Sequence, residues 1–355
     1  MRAFGCEVCG NVLFFENTTC LRCGTSQGFA PWTVPQQLVP GVVDGQAYRW
    51  NDSTFQRCAN ADRIGCNWLI ADDHTLCASC RLTRNRPMDD DLDGMVAWER
   101  AEACKRRLVY QLWDLGLPLR PRAGGYPHGL AFDLLSSANG PVSTGHADGV
   151  VTIDIAEGDD AYREYVRQLL AEPYRTLLGH FRHETGHYYW EILVGARGRL
   201  DEFRATFGDD RQDYARALDR HYAEGPPAGW EDQYVSSYAT MHPWEDWAET
   251  FAHYLHIRDT VQTASAFGLW VGGPDLPYAS SPEAPLAALP TDDVDDVHSL
   301  MREWVPLMVA LNAINRSLGK LDLYPFTLAP AVVGKLAVVH RLVIAARGVD
   351  VPAGR

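Results

Sequence analysis

The residues best equipped for chemistry are His183-Glu184-Thr185-Gly186-His187, two histidines four apart with a glutamate beside the first. On a helix, positions i and i+4 lie on one face, so both imidazoles can reach one metal ion. Glu184 then projects to the side of that face, where its carboxylate can take a proton from metal-activated water. Two neutral nitrogen ligands and a carboxylate base are the minimum kit for zinc-assisted hydrolysis, and a third ligand must complete it.

Candidates for that ligand follow downstream. Glu245 and Glu249 stand about one helical turn apart and share a face. One can bind the metal while the other orients a ligand imidazole. Trp244, Trp247 and Phe251 offer apolar packing beside them. Tyr238, seven residues before Glu245, either donates a hydrogen bond to a developing oxyanion or is a core tyrosine. His242 and Asp246 read as a helix cap and a solvated charge; His180 lies one turn before His183. His253 and His256 either support the site or pack in the core.

The cysteines define other chemistry. Eight of the nine precede residue 81. Cys6-x2-Cys9 and Cys20-x2-Cys23 are two thiolate knuckles that together make a closed four-sulfur zinc site. Gly10 and Gly24 follow each knuckle, where a tight turn favours glycine. Cys58, Cys66, Cys77 and Cys80 form a looser second set, read as another structural zinc site; the alternative is buried free thiols, with His74 as a substitute ligand. Cys104 reads as a core thiol. A coordinatively closed site is structural, and a segment with little core needs such staples.

Elements must hold these groups in place. Residues 1–86 form a loop-rich cysteine module, and Arg86 to Gly94 a polar linker. A second module, 95–350, is mainly helical with a small sheet, so the class is α+β. Helical spacing runs over Met95–Leu115, 160–171, 173–194 with Pro173 in the first turn, and 199–224 as one or two helices ended by Gly225-Pro226-Pro227-Ala228-Gly229. Further helices are expected at 243–257, opening on Pro243, at 294–317, and at 328–347, the last apolar nearly all round and therefore buried. Strands are expected at Leu130–Leu135 and Gly149–Ile155; the second alternates as a half-buried strand does. The Pro-, Ala- and Ser-rich stretch 273–292 reads as a surface loop.

The whole chain narrows the function. Its 355 residues can bury a large core, and a net charge of −14 disfavours nucleic acid and anionic membranes. Arginines at 57, 63, 81, 84 and 86 point the other way, but four thiolates leave each cysteine-bound zinc formally −2. No apolar run is long enough to span a membrane. Met1 leads into a cysteine motif rather than the apolar core of a signal peptide, so a cytoplasmic location is expected, with zinc favoured over disulfides.

His183-Glu184-x-Gly186-His187, then Tyr238-Ala239, then Glu245-x-x-Ala248-Glu249-x-Phe251 resembles the glutamate-zincin arrangement of the anthrax lethal factor group. The resemblance implies His183, His187 and Glu245 as zinc ligands, Glu184 as general base, Tyr238 as oxyanion donor and Glu249 as support behind the ligands. The strand and helix ahead of the motif are similar to the order that places a substrate-binding edge strand before the metal helix. With its ribbon, His183 to Trp190 and His242 to Thr250, the chain resembles bacterial zinc-binding metallopeptidases with an N-terminal zinc ribbon. That implies a zincin-like domain, one catalytic and two structural zinc ions, a peptide or protein substrate, and a ribbon able to bind a protein partner. Two other readings stand beside it: a DNA-associated zinc-ribbon protease, and a non-catalytic ribbon adaptor with a degenerate zincin fold.

Overall fold

The computed structural model describes the chain except residues 34–35, 42–46, 71–73, 123–124, 127, 171, 274–295 and 348–355. All but the first residue of the loop expected at 273–292 lies outside the described residues. The described chain forms two compact units: Arg2–Glu184 with residues 346–347, and Thr185–Ala345 with Met1. They part inside the helix that carries the His183–His187 motif.

The first unit opens with short strands, β1 (Phe4–Gly5) and β2 (Val12–Leu13), paired antiparallel across the first knuckle. The knuckles fold alike. Gly10 N–H donates to the Cys6 carbonyl at 2.7 Å and Gly24 N–H to the Cys20 carbonyl at 2.9 Å. Both glycines take positive φ, 72° and 73°, which a side chain would resist. A second antiparallel pair follows, β3 (Gln27–Ala30) with β4 (Gln37–Pro40). Then come β5 (Ala47–Trp50), β6 (Ser53–Arg57), the short helix α1 (Ala61–Ile64) and β7 (Leu69–Ile70), with order β5-β6-β7.

This module shares its core with the helix after it. Phe29 packs on Phe15 and Trp68 with ring centres 5.0 and 4.9 Å apart, and Tyr110 of α2 (Leu92–Asp114) joins them 5.0 Å from Phe15. The helix takes up the end of the stretch expected as linker, because Asp91 caps it by accepting a hydrogen bond from Gly94 N–H at 2.9 Å.

The sheet has order β10-β11-β9-β8, made from β8 (Thr83–Asn85), β9 (Ala131–Leu135), β10 (Gly145–Ala147) and β11 (Val150–Asp154). Asp148 and Gly149, with φ of 51° and 79°, make the two-residue turn whose twist suits the β10–β11 hairpin. The reading of the 149–155 strand as half-buried and at an edge is corrected here. β11 lies between β10 and β9, so both its edges are paired, and its residues are buried on both faces except Thr152, which is half-buried. The edges belong to β10 and β8.

α3 (Asp160–Leu169) is capped by Asp159. α4 (Leu177–Trp190) starts later than expected, and Pro173 lies outside it. The Thr176 hydroxyl accepts from Gly179 N–H at 3.0 Å and so sets the start. A π-turn, Glu191–Gly195, ends this helix. The second unit continues with α5 (Leu200–Phe207), α6 (Tyr214–Glu224), α7 (Pro243–Ala266), α8 (Val297–Ser317) and α9 (Pro330–Ala346). Pro243 occupies the first turn of α7, as expected, and α9 is largely buried. Among the described residues no helix is long and apolar enough to cross a membrane.

Candidate metal centre

Among the described residues, three groups of side chains could each hold a metal ion, and within each group one donor atom per residue lies within 4.8 Å of the others. They are Cys6, Cys9, Cys20 and Cys23; Cys58, Cys66, Cys77 and Cys80; and His183, His187 and Glu245. His74 and Cys104 belong to none of them.

In the first sulfur group, Cys6 and Cys23 are 3.6 Å apart, as are Cys9 and Cys20. In the second, Cys66 lies 3.7 Å from both Cys77 and Cys80. A disulfide would need about 2 Å. Tetrahedral zinc with bonds of about 2.3 Å spaces its sulfurs about 3.8 Å apart, so the donor sets fit zinc. Local backbone supports the second group. Cys77 N–H donates to the Cys58 sulfur and Cys80 N–H to the Cys77 sulfur, each at 3.4 Å. Gly65, left-handed at φ 59°, ends α1 and turns the chain into Cys66.

The third group joins α4 to α7. His187 and Glu245 are buried, 3% and 1% exposed, and His187 Nε2 stands 3.4 Å from Glu245 Oε2. Zinc with nitrogen and oxygen bonds of about 2.0–2.1 Å spaces its ligand atoms about 3.3 Å apart. On a tetrahedral ion, two imidazoles and one carboxylate would leave a fourth position open. Glu184, beside His183, is 7% exposed.

Gly186 explains how α4 and α7 come so close. A Cβ there would stand 3.0 Å from Ala248 Cα and 3.2 Å from the Ala248 carbonyl oxygen. Trp247 Nε1–H donates to the Gly186 carbonyl at 2.9 Å and ties the helices together. In an isolated helix Gly→Ala gains about 1 kcal/mol. Here the obstacle is backbone, so overpacking of about 1–3 kcal/mol outweighs that gain. Gly186→Ala should therefore lower the stability measured by urea unfolding; an increase would contradict this account of the contact.

Glu249 is not in the three-residue group; it accepts a 2.6 Å hydrogen bond from the Ser236 hydroxyl. Tyr238 sits in a short 3-10 turn, Tyr238–Thr240, packed on α7. Burial, and next the charge of Glu245, push its phenol well above the usual range, so it stays protonated. Trp244 packs on the His187 imidazole with ring centres 3.8 Å apart.

Other candidates take structural posts. His242 caps α7, its Nδ1 accepting from Trp244 N–H at 3.0 Å. His180 Nε2 lies 3.0 Å from Glu157. Burial would raise that carboxyl, but His180 and Arg175 outweigh it and hold it near a pKa of about 2. His253 Nδ1 is 2.6 Å from the Tyr324 hydroxyl, and His256 packs on Trp304 and Tyr324. The reading of Asp246 as solvated is corrected: it is fully buried and paired with Lys335 Nζ at 2.6 Å. Burial still pushes its carboxyl up to about 7 against the pull of Lys335.

A residue missed from the sequence is Tyr214, whose hydroxyl donates to Glu245 Oε1 at 2.9 Å. It is the first residue of α6, and the Asp213 cap before it was the available signal.

Residues 94–342 match the family described as "Putative zinc-binding metallo-peptidase", and residues 3–91 match a zinc-ribbon domain. The chain belongs to this metallopeptidase family. Uncharacterized proteins of Mycobacterium bovis and of Mycobacterium tuberculosis strains CDC 1551 and H37Rv are each 46% identical over 346 residues, covering 97% of this chain and 95% of theirs. No solved structure matches.

Proposed function

We propose that the protein is a zinc-dependent peptidase of the cytoplasm, with one zinc ion for hydrolysis and two structural ions in the ribbon. The observation that carries this is the meeting of His183, His187 and Glu245 in a chain of this family, with Glu184 one residue from the first histidine. His183, His187 and Glu245 would hold the catalytic ion. A zinc ion bound there supplies Lewis acidity, making water acidic near neutral pH and polarising a carbonyl.

Glu184 takes a proton from the attacking water and passes it to the nitrogen of the breaking peptide bond. Tyr238, kept protonated, donates a hydrogen bond to the carbonyl oxygen as negative charge develops on it. Glu249, held by Ser236, supports the ligands from behind. The eight ribbon sulfurs form closed sites with no position for substrate, and reduced thiolates suit the cytoplasm. The substrate is a peptide or protein, and the ribbon is free to serve a protein partner.

The test is a peptide library digested by wild type and by Glu184→Gln, with cleavage read by mass spectrometry. Glu184→Gln should keep its zinc and lose about 10²- to 10⁴-fold in rate, the usual worth of a general base. Equal cleavage by the two proteins would sink the mechanism.

A further inference from the structure

Glu245 has two oxygens with different neighbours. Oε2 faces His187 Nε2 at 3.4 Å, and Oε1 accepts the Tyr214 hydroxyl at 2.9 Å. A carboxylate accepts only, so the single Tyr214 proton is committed to Glu245.

We propose that Tyr214 is a positioning residue for the metal centre. It holds Glu245 so that a single oxygen, Oε2, serves the ion. This rests on the zinc-peptidase reading above. The placement of Tyr214 suits the role. It begins α6, where the Asp213 side chain accepts from Arg216 N–H at 3.0 Å and fixes the first turn. Its ring packs near His242 and Trp244, at 5.4 and 6.1 Å between centres, and Trp244 in turn covers His187. The phenol ring is therefore aimed by the same turn of α7 that carries Glu245. With Oε1 occupied by a donor, bidentate binding of an ion by Glu245 is disfavoured, and the remaining coordination position stays available.

The experiment measures zinc affinity of the full-length protein by competition with a chromophoric chelator, in wild type, Tyr214→Phe, Tyr214→Met, Tyr238→Phe and Glu245→Ala. Both Tyr214 variants lack the hydroxyl, and the first keeps the ring. Each should bind the weakest-held zinc about 10- to 100-fold less tightly, the usual cost of losing a partner behind a ligand. The cysteine-bound zinc should be unchanged. Tyr238→Phe should keep wild-type affinity while lowering kcat, a split that a merely structural role would not produce. Wild-type affinity in either Tyr214 variant overturns the proposal. If Glu245→Ala loses the ion and Tyr214→Phe does not, only the role of Tyr214 falls. If Glu245→Ala also keeps it, the ligand set itself is wrong.

Discussion

Glu245→Ala is expected to empty the histidine site while both cysteine groups stay filled. The change removes one of three donors from a group that gathers within 4.8 Å. Losing a direct donor should cost more than losing a support behind it, hence more than about 100-fold in affinity. Glu249→Ala should cost only about 10- to 100-fold, because Glu249 lies outside the donor group and is engaged by Ser236. Zinc retained per chain after gel filtration in dilute chelator separates the two. The reverse order of loss would move the third ligand from Glu245 to Glu249.

The second large effect belongs to the ribbon. Cys77→Ser removes a donor from a fully buried sulfur group. Structural zinc sites contribute on the order of 10–16 kcal/mol in apparent binding energy, and three thiolates with a serine retain only part of it. A loss of about 5 kcal/mol or more corresponds to a melting temperature lower by on the order of 10 °C or more. The damage should spread beyond the cluster. Cys66 leads directly toward Trp68, which packs 4.9 Å from Phe29 in the core that includes Tyr110 of α2. Cys104→Ser, on α2 and outside both groups, should cost only about 1 kcal/mol. Thermal unfolding of the two variants checks this; equal melting points would mean that the second cysteine group holds no stabilising ion.

What could be read in the sequence was what local geometry dictates. A helix places i and i+4 together whatever surrounds it, so His183 and His187 were legible, and so were the two knuckles with their left-handed glycines. The misreadings share a cause, which is partners remote in the chain. Asp246 looked solvated because Lys335, which pairs with it, lies 89 residues away. Tyr214 carried no motif, and its role depends on Glu245, 31 residues later. β11 alternates like an exposed-face strand, but alternation cannot report that β9 and β10 flank it and that both its faces are covered. Pro173 could begin a helix, yet Thr176 caps one, and the cap decided the start.

The measurement that bears most directly on the central claim is zinc counted on the purified, active protein. Native mass spectrometry should find three ions per chain, and mild chelation should remove one of them together with peptide cleavage, both returning when zinc is restored. Two ions at most, or cleavage that survives removal of the third, would contradict the assignment of His183, His187 and Glu245 as the hydrolytic centre.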